Sequence, residues 1–372
     1  MAMIIFRRIE QSSHETNTKK ETIMKRCLIW ITSLLLVAFA ITSCIPFPKE
    51  KTYRAWVVGQ TDTNGIAMLY FSDDSGETWT RQAMDILPEG KDLEDVYAVD
   101  RDRVWAAGSD ALLLRTDNGG SDWEIIEVTE TATDSFFASI SVYGDVIWVS
   151  GDSGLVIFTE DDGDTWTVCD LPENAADYLI QGIHAINQNV IYAVGNKSTP
   201  RAGIVLKSEN GGQDWEEIDL PNNYNDNGWI GVKATDENHI VIHGGQGHYV
   251  VTANGGKQWV TGGPLFAKDL NSLVMLDSST YWAACDFDTI ILTEDSGISW
   301  EEQPPAGTSN SFLLGIDALD RKNALVIGSS AGYPQFGKIL RTTDGGKNWE
   351  VVLGAEECPV TLSHVSIAEK SM

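Results

Sequence analysis

The sequence predicts an all-β fold, a seven-bladed β-propeller of four-stranded antiparallel blades, and three observations carry that prediction. A tryptophan-anchored box recurs seven times, short β-branched and aromatic runs surround each box, and the last apolar run of the chain supplies what the first repeat lacks.

The boxes read SDDSGETW, TDNGGSDW, TEDDGDTW, SENGGQDW, TANGGKQW, TEDSGISW and TTDGGKNW. Each ends on tryptophan, with Gly three residues before it, Asp or Asn five before and Ser or Thr seven before. In order, these positions are Asp74, Gly76 and Trp79; Asn118, Gly120 and Trp123; Asp161, Gly163 and Trp166; and Asn210, Gly212 and Trp215. They continue as Asn254, Gly256 and Trp259; Asp295, Gly297 and Trp300; and Asp344, Gly346 and Trp349. Successive tryptophans lie 44, 43, 49, 44, 41 and 49 residues apart. Such a period, with four short strands in each unit, is that of a propeller blade.

The residue types in the box are those of a tight hairpin. The Asp or Asn side chain is expected to accept from backbone N–H groups two or three residues on. The Gly is expected at positive φ, where a Cβ would clash. The hydroxyl ties the entering strand to the turn, and the tryptophan opens the next strand and buries its ring. A calcium loop uses similar letters, but the register fails. With Gly163 or Gly345 as the loop glycine, the first ligand position falls on Phe158 or Leu340, which have no oxygen to offer. The boxes are therefore read as structural, and neither metal nor cofactor is expected.

In the second repeat the runs are Asp95–Val99, Val104–Gly108, Ala111–Thr116 and Trp123–Val128. In the third they are Ile140–Val142, Val146–Gly151, Leu155–Thr159 and Trp166–Cys169. No segment of the propeller reads as a helix. The first repeat begins at Tyr53–Gly59, which matches a second strand, and Leu362–Ile367 after the seventh box matches an innermost strand. The C-terminal strand is thus expected to complete the first blade and remove the free edge. The propeller spans 53–367, followed by a tail, 368–372.

Ahead of it the chain reads Met-Lys-Arg-Cys from Met24, then an apolar run Leu28–Ile41, then Thr42-Ser43-Cys44. The run falls short of the about 20 apolar residues of a spanning helix, and Ile41-Thr42-Ser43-Cys44 has the form of a lipobox. Residues 24–43 are expected to be a lipoprotein signal peptide, Cys44 the lipidated residue, 44–52 a linker, and 1–23 an extension or mis-called start. This implies a bacterial envelope protein, lipid-anchored on the non-cytoplasmic side of a membrane.

Lys and Arg number 26 against 54 Asp and Glu, a net charge of −28. Such a surface repels phosphate backbones and anionic lipid, so nucleic acid is excluded as a partner and the acyl chains are the membrane link. Cys169, Cys285 and Cys358 are too scattered for a disulfide framework or a zinc site. Cys169 and Cys285, inside strand-like runs, are read as small buried residues, and the protein as a monomer.

The boxes resemble the Asp-box (BNR) repeats of sialidases, sortilin-type receptors and some glucanases. GKILRTTDGGKNW, with the VYAV and VWAAG strands, is most similar to the photosystem II assembly-factor propellers and their bacterial relatives. That resemblance implies a non-catalytic scaffold that holds an assembly intermediate. The arginine patch it implies has no counterpart here, where basic residues are few and scattered.

A propeller's ligand face carries the blade-to-blade loops and the loops between second and third strands, so the boxes mark the opposite face. A sialidase needs three arginines converging on a carboxylate. Of the arginines in the propeller, only Arg201 falls in a ligand-face loop, so that triad cannot be assembled. A two-carboxylate glycosidase is the alternative reading, with Asp110, Asp152, Asp286 and Asp288 as candidates. The reading preferred is a binding platform for a protein or glycan. The extra length of the two longest repeats lies largely in Asn196–Gly203 and Ser329–Gly337, and aromatic residues gather in the ligand-face loops. The candidate contact residues are Tyr178, Arg201, Tyr224, Trp229, Phe266 and Tyr333, with His243 and His248 flanking Gly244–Gly247.

Overall fold

Short runs of β-branched residues, broken every few positions by turn chemistry, direct this chain into antiparallel hairpins. The computed structural model describes residues 52–221, 224, 227–263, 265, 268–303, 311–330, 335–354 and 356–369. The expected signal peptide, Cys44, Phe266 and Tyr333 lie outside the described residues. The strands form seven four-stranded antiparallel sheets. Helical structure among the described residues is limited to short 3-10 turns, such as Glu173–Asp177 and Gly245–Gly247.

The first blade is closed as expected. Its innermost strand is the C-terminal Leu362–Glu369, paired antiparallel with Tyr53–Thr61, which is followed by Ala67–Ser72 and Thr80–Arg81. The closing strand runs two residues further than Ile367, so part of the expected tail is strand. Outermost strands are only two to four residues long, from Glu124–Ile125 to Glu350–Leu353, and several are acidic. Short charged edges are poor templates for pairing with another chain.

The boxes turn the chain as their residues dictate, with one addition. In the third blade Thr159 Oγ1 donates to Asp161 Oδ1 at 2.7 Å and accepts from the Gly163 N–H at 3.0 Å. Asp161 Oδ1 accepts the N–H of Thr165, four residues on, at 2.9 Å, while Asp74 Oδ1 accepts both the expected N–H three on, from Glu77 at 3.1 Å, and that of Thr78 four on. The residue before the tryptophan then complements the box residue. Asp74, Asp161, Asp295 and Asp344 face the donors Thr78, Thr165, Ser299 and Asn348, whereas Asn118 and Asn210 donate to Asp122 and Asp214. The box glycine has positive φ as expected, for example +94° at Gly163, and so does the residue before it, Asp162 at +59°. Lacking a Cβ, the glycine also admits the preceding blade. A Cβ on Gly163 would lie 3.0 Å from the Trp105 ring, and one on Gly346 would lie 2.6 Å from the Trp282 ring. A box therefore turns one blade and docks it on the last.

The core lies between blades. Trp56, Trp105, Trp148, Trp229 and Trp282 are among its fully buried side chains, while the box tryptophans form the rim, with Trp123 and Trp215 each 9% exposed. Cys285 and Cys358 are buried, whereas Cys169 is only half-buried.

Each innermost strand carries one bulge against its neighbour. The residues skipped by the ladder are Ser363, Glu94, Ala138, Gln181, Ile230, Asn271 and Leu314, one per blade. A bulge re-aims the side chain it carries, and all seven line the mouth of the central channel. The next residue of each strand forms a second ring, Asp95, Ser139, Gly182, Gly231, Ser272, Gly315 and His364. Two residues deeper lies a third, Tyr97, Ser141, His184, Lys233, Val274, Asp317 and Ser366. Side chains of the second and third rings stitch most of the blades to the next. Asp95 accepts the Ile140 N–H at 2.7 Å, Ser141 that of Ala185 at 2.8 Å, Asp317 that of Ile367 at 2.7 Å and Ser366 that of Ala98 at 3.0 Å.

One stitch is titratable. His364 Nδ1 lies 2.7 Å from Asp95 Oδ1, joining the closing strand to the second blade. Burial pulls the His364 pKa down, but the Asp95 carboxylate more than offsets it, so the value ends above the ordinary one. Asp95, raised by burial, is brought below its ordinary value by His364 and its N–H donors. A raised histidine stabilises the fold below its unfolded pKa and loses that contribution as pH rises through the folded value. Above about pH 7, where an unfolded histidine is neutral, wild-type stability is expected to fall more steeply than that of H364Q. Urea midpoints from pH 7 upward check this; parallel profiles would count against the ion pair.

Candidate binding site

Three of the residues singled out from the sequence lie close together on the face opposite the boxes, where the fourth and fifth blades adjoin. Arg201 opens the third strand of the fourth blade, Arg201–Ser208, and pairs with Ser198 across a tight hairpin. The stretch 196–203 expected as a long loop is thus ladder, extended by Asn196↔Gly203, Lys197↔Ala202 and Ser198↔Arg201. It lifts Arg201 clear of the sheet, where it is exposed. The guanidinium lies over backbone without a Cβ between: a Cβ on Gly245 would sit 2.2 Å from Nη2, and one on Gly228 3.8 Å away. Beside it stands His248, half-buried, with Tyr224 edge-on to its ring at 5.4 Å and 87°. Burial first, and then the Arg201 charge, hold His248 below the ordinary imidazole value, so the ring favours its neutral form. Its Nδ1 is buried without a partner among the described residues.

Arg201 differs from every other arginine of the propeller. Arg54, Arg81, Arg101, Arg103, Arg115, Arg321 and Arg341 all make ion pairs, Arg115 with Asp117, Glu124 and Asp162 together. Arg201 makes none among the described residues.

Other expected contact residues are placed elsewhere. Trp229 is 0% exposed, since it begins the innermost strand Trp229–Ala234 and packs with Tyr192, Val194 and Val205 between blades. Tyr178 is 7% exposed and packs between the third and fourth blades, with Lys197 Nζ 4.5 Å from its ring centroid. Neither is a surface aromatic. His243 is 2% exposed, and its Nδ1 lies 2.9 Å from the Leu270 carbonyl. Burial holds its pKa down at about 4, so Nδ1 carries the proton and donates. The two histidines therefore part, one to the channel and one to Tyr224. Among the described residues no group of three or more His, Cys, Asp or Glu is placed to hold a metal ion.

Three of the four candidate carboxylates serve as acceptors in the loops. Asp152 Oδ1 accepts the Phe136 N–H at 2.9 Å and Asp286 Oδ1 the Asn271 amide at 2.9 Å. Asp288, 8% exposed, accepts the Ser311 N–H and pairs with Lys338. Asp110 is exposed at φ +51°. Sequence reasoning missed the channel rings, since the bulge positions share no residue type.

The family model described as Photosynthesis system II assembly factor YCF48 matches residues 84–216. Among solved structures, the chain is similar to YCF48 bound to D1 peptide, at 18% identity and TM-score 0.57, covering 80% of this chain and 84% of that one. It is similar to YCF48 from Cyanidioschyzon merolae at 18% identity and TM-score 0.54, covering 71% and 86%. An ancestral GH74 enzyme matches at 16% identity and TM-score 0.53, over 69% of this chain but 38% of its own. No curated protein sequence matches. At these identities the structural likeness is one of fold. The chain is a seven-bladed β-propeller that matches, over residues 84–216, the photosystem II assembly factor YCF48 family model.

Proposed function

We propose that this is a membrane-anchored, non-catalytic binding propeller that holds an acidic segment of a partner protein against Arg201, Tyr224 and His248. The unpaired Arg201 carries the reading. In a chain of net charge −28, every other propeller arginine is neutralised internally and this one is presented to solvent. A guanidinium clamps a carboxylate with two parallel hydrogen bonds, and Tyr224 and His248 add a rigid aromatic wall with few torsions to freeze. The similar structure described as YCF48 bound to D1 peptide supports a protein segment as the ligand. The loop roles of Asp152, Asp286 and Asp288 favour this reading over the glycosidase.

The test is capture from detergent-solubilised envelope membranes on immobilised propeller. R201A and Y224A together are expected to lower retention of the partner by about 2 kcal/mol or more, roughly 30-fold. Retention unchanged by the pair of substitutions would overturn the reading. So would oligosaccharide hydrolysis by purified protein that is lost in D110N.

The anchor rests on the lipobox. C44A is expected to leave the protein unacylated, released to soluble fractions or stalled before processing. Unchanged mass and membrane partition would remove Cys44 as the anchor.

A further inference from the structure

Two opposite charges in the central channel take no part in stitching the blades. Glu94 stands in the mouth ring on the second blade, and Lys233 in the third ring on the fifth. Neither has a hydrogen-bond or ion-pair partner among the described residues. The acids around them are engaged, Asp95 with His364 and Asp317 with the N–H groups of Ile367 and Ala318. An ammonium cannot accept a backbone N–H, so Lys233 cannot make the bond that Ser141, Asp317 and Ser366 make at its level.

Between the two levels the channel is hollow. Five of the seven second-ring residues are Ser139, Gly182, Gly231, Ser272 and Gly315, too small to fill the axis. A cavity of about 330 Å³ results, bounded by all seven blades, and Lys233 lines both it and the next cavity down. Three residues of strand separate Glu94 from the level of Lys233, roughly 7–10 Å along the axis.

We propose that this cavity binds a small zwitterion, with its carboxylate inward on Lys233 and its ammonium outward at Glu94. A ligand bearing both charges pairs both groups at once, whereas a ligand bearing one leaves the other group without a hydrogen-bonding partner. The cavity admits a small molecule, and the span between the two charges is that of an ω-amino acid. Burial, with Asp92 and Asp95, pushes Glu94 up to about 7. At neutral pH it is therefore partly protonated, and an arriving ammonium would displace that proton to the buffer.

Isothermal titration of the intact protein with ω-amino acids from glycine to 6-aminohexanoate, beside acetate and propylamine, tests this. At least one zwitterion is expected to bind at pH 7 with proton release, read as an enthalpy that changes with the buffer's ionisation heat. E94Q should lose the proton release and, like K233M, weaken binding roughly 10-fold or more. S139L should block binding by filling the cavity with both charges intact, and R201A should leave it unchanged. Binding of acetate or propylamine alone as tightly as any zwitterion would overturn the proposal. So would no binding across the series tighter than about 10 mM, or binding that E94Q leaves intact in a folded variant.

Discussion

A chain ending at Thr361 is expected not to fold cooperatively. The eight residues Leu362–Glu369 are the innermost strand of the first blade, paired along Tyr53–Thr61 from Tyr53↔Glu369 to Gly59↔Leu362. Their loss strips the hydrogen-bonding partners from a strand whose Ala55, Trp56, Val57 and Val58 are fully buried. It also removes three links to other blades: His364 with Asp95, Ser366 with the Ala98 N–H, and the Ile367 N–H with Asp317. Leu362 and Val365, both 0% exposed, leave the core between the first and seventh blades. Each deleted apolar side chain of this kind is worth about 2–5 kcal/mol. Lost together with a strand of hydrogen bonds, they exceed the about 5–15 kcal/mol that holds a typical domain folded. The truncated protein should aggregate or show a broad urea transition, by size-exclusion chromatography and near-UV circular dichroism. A sharp transition at the wild-type midpoint would show that the ring does not depend on this closure.

Closure was legible in the sequence because it is a matter of counting. The first repeat lacks a strand, the last segment supplies one, and a ring has no other place for it. The boxes were legible for a different reason: a two-residue turn at positive φ tolerates few residue types, so its chemistry is written into the letters. The seven bulges were not legible. Glu94, Ala138, Gln181, Ile230, Asn271, Leu314 and Ser363 share only a position in the ladder, and pairing is a long-range property that a single strand does not record. The extension at 196–203 hid for a related reason. Its pairs, Asn196↔Gly203 to Ser198↔Arg201, are mostly polar or small and show no apolar alternation. At the candidate site, Arg201 stood out because the chain has so few arginines, and its lack of an ion pair became visible only once the other seven had found theirs. Trp229 misled. Beside Gly228, in a polar stretch, it looks like a loop aromatic, but one residue decides whether such a position ends a loop or begins a buried strand.

W229A is expected to act on stability, not as the loss of a surface contact. The indole is 0% exposed and packs with Tyr192, Val194, Val205 and Leu220 from the fourth blade and Val232, Ile240, Ile242 and Val250 from the fifth. The third strand of the fourth blade runs directly against it, since a Cβ on Gly203 would come within 2.4 Å of Trp229 Cδ1. That approach leaves the cavity no easy route to collapse, so truncation to Ala should cost about 3–5 kcal/mol. The indole N–H has no acceptor among the described residues. W229F therefore sacrifices volume but no hydrogen bond, and should lose less. Because Gly203 and Arg201 share one strand, the cavity also loosens the footing of Arg201, and partner capture by W229A should weaken alongside stability. The order of effects separates this from a surface role: urea unfolding should show the large shift in W229A and a small one in Y224A, while capture should fall in both. A W229A protein of unchanged midpoint that nevertheless fails to capture its partner would place the indole at the binding surface after all.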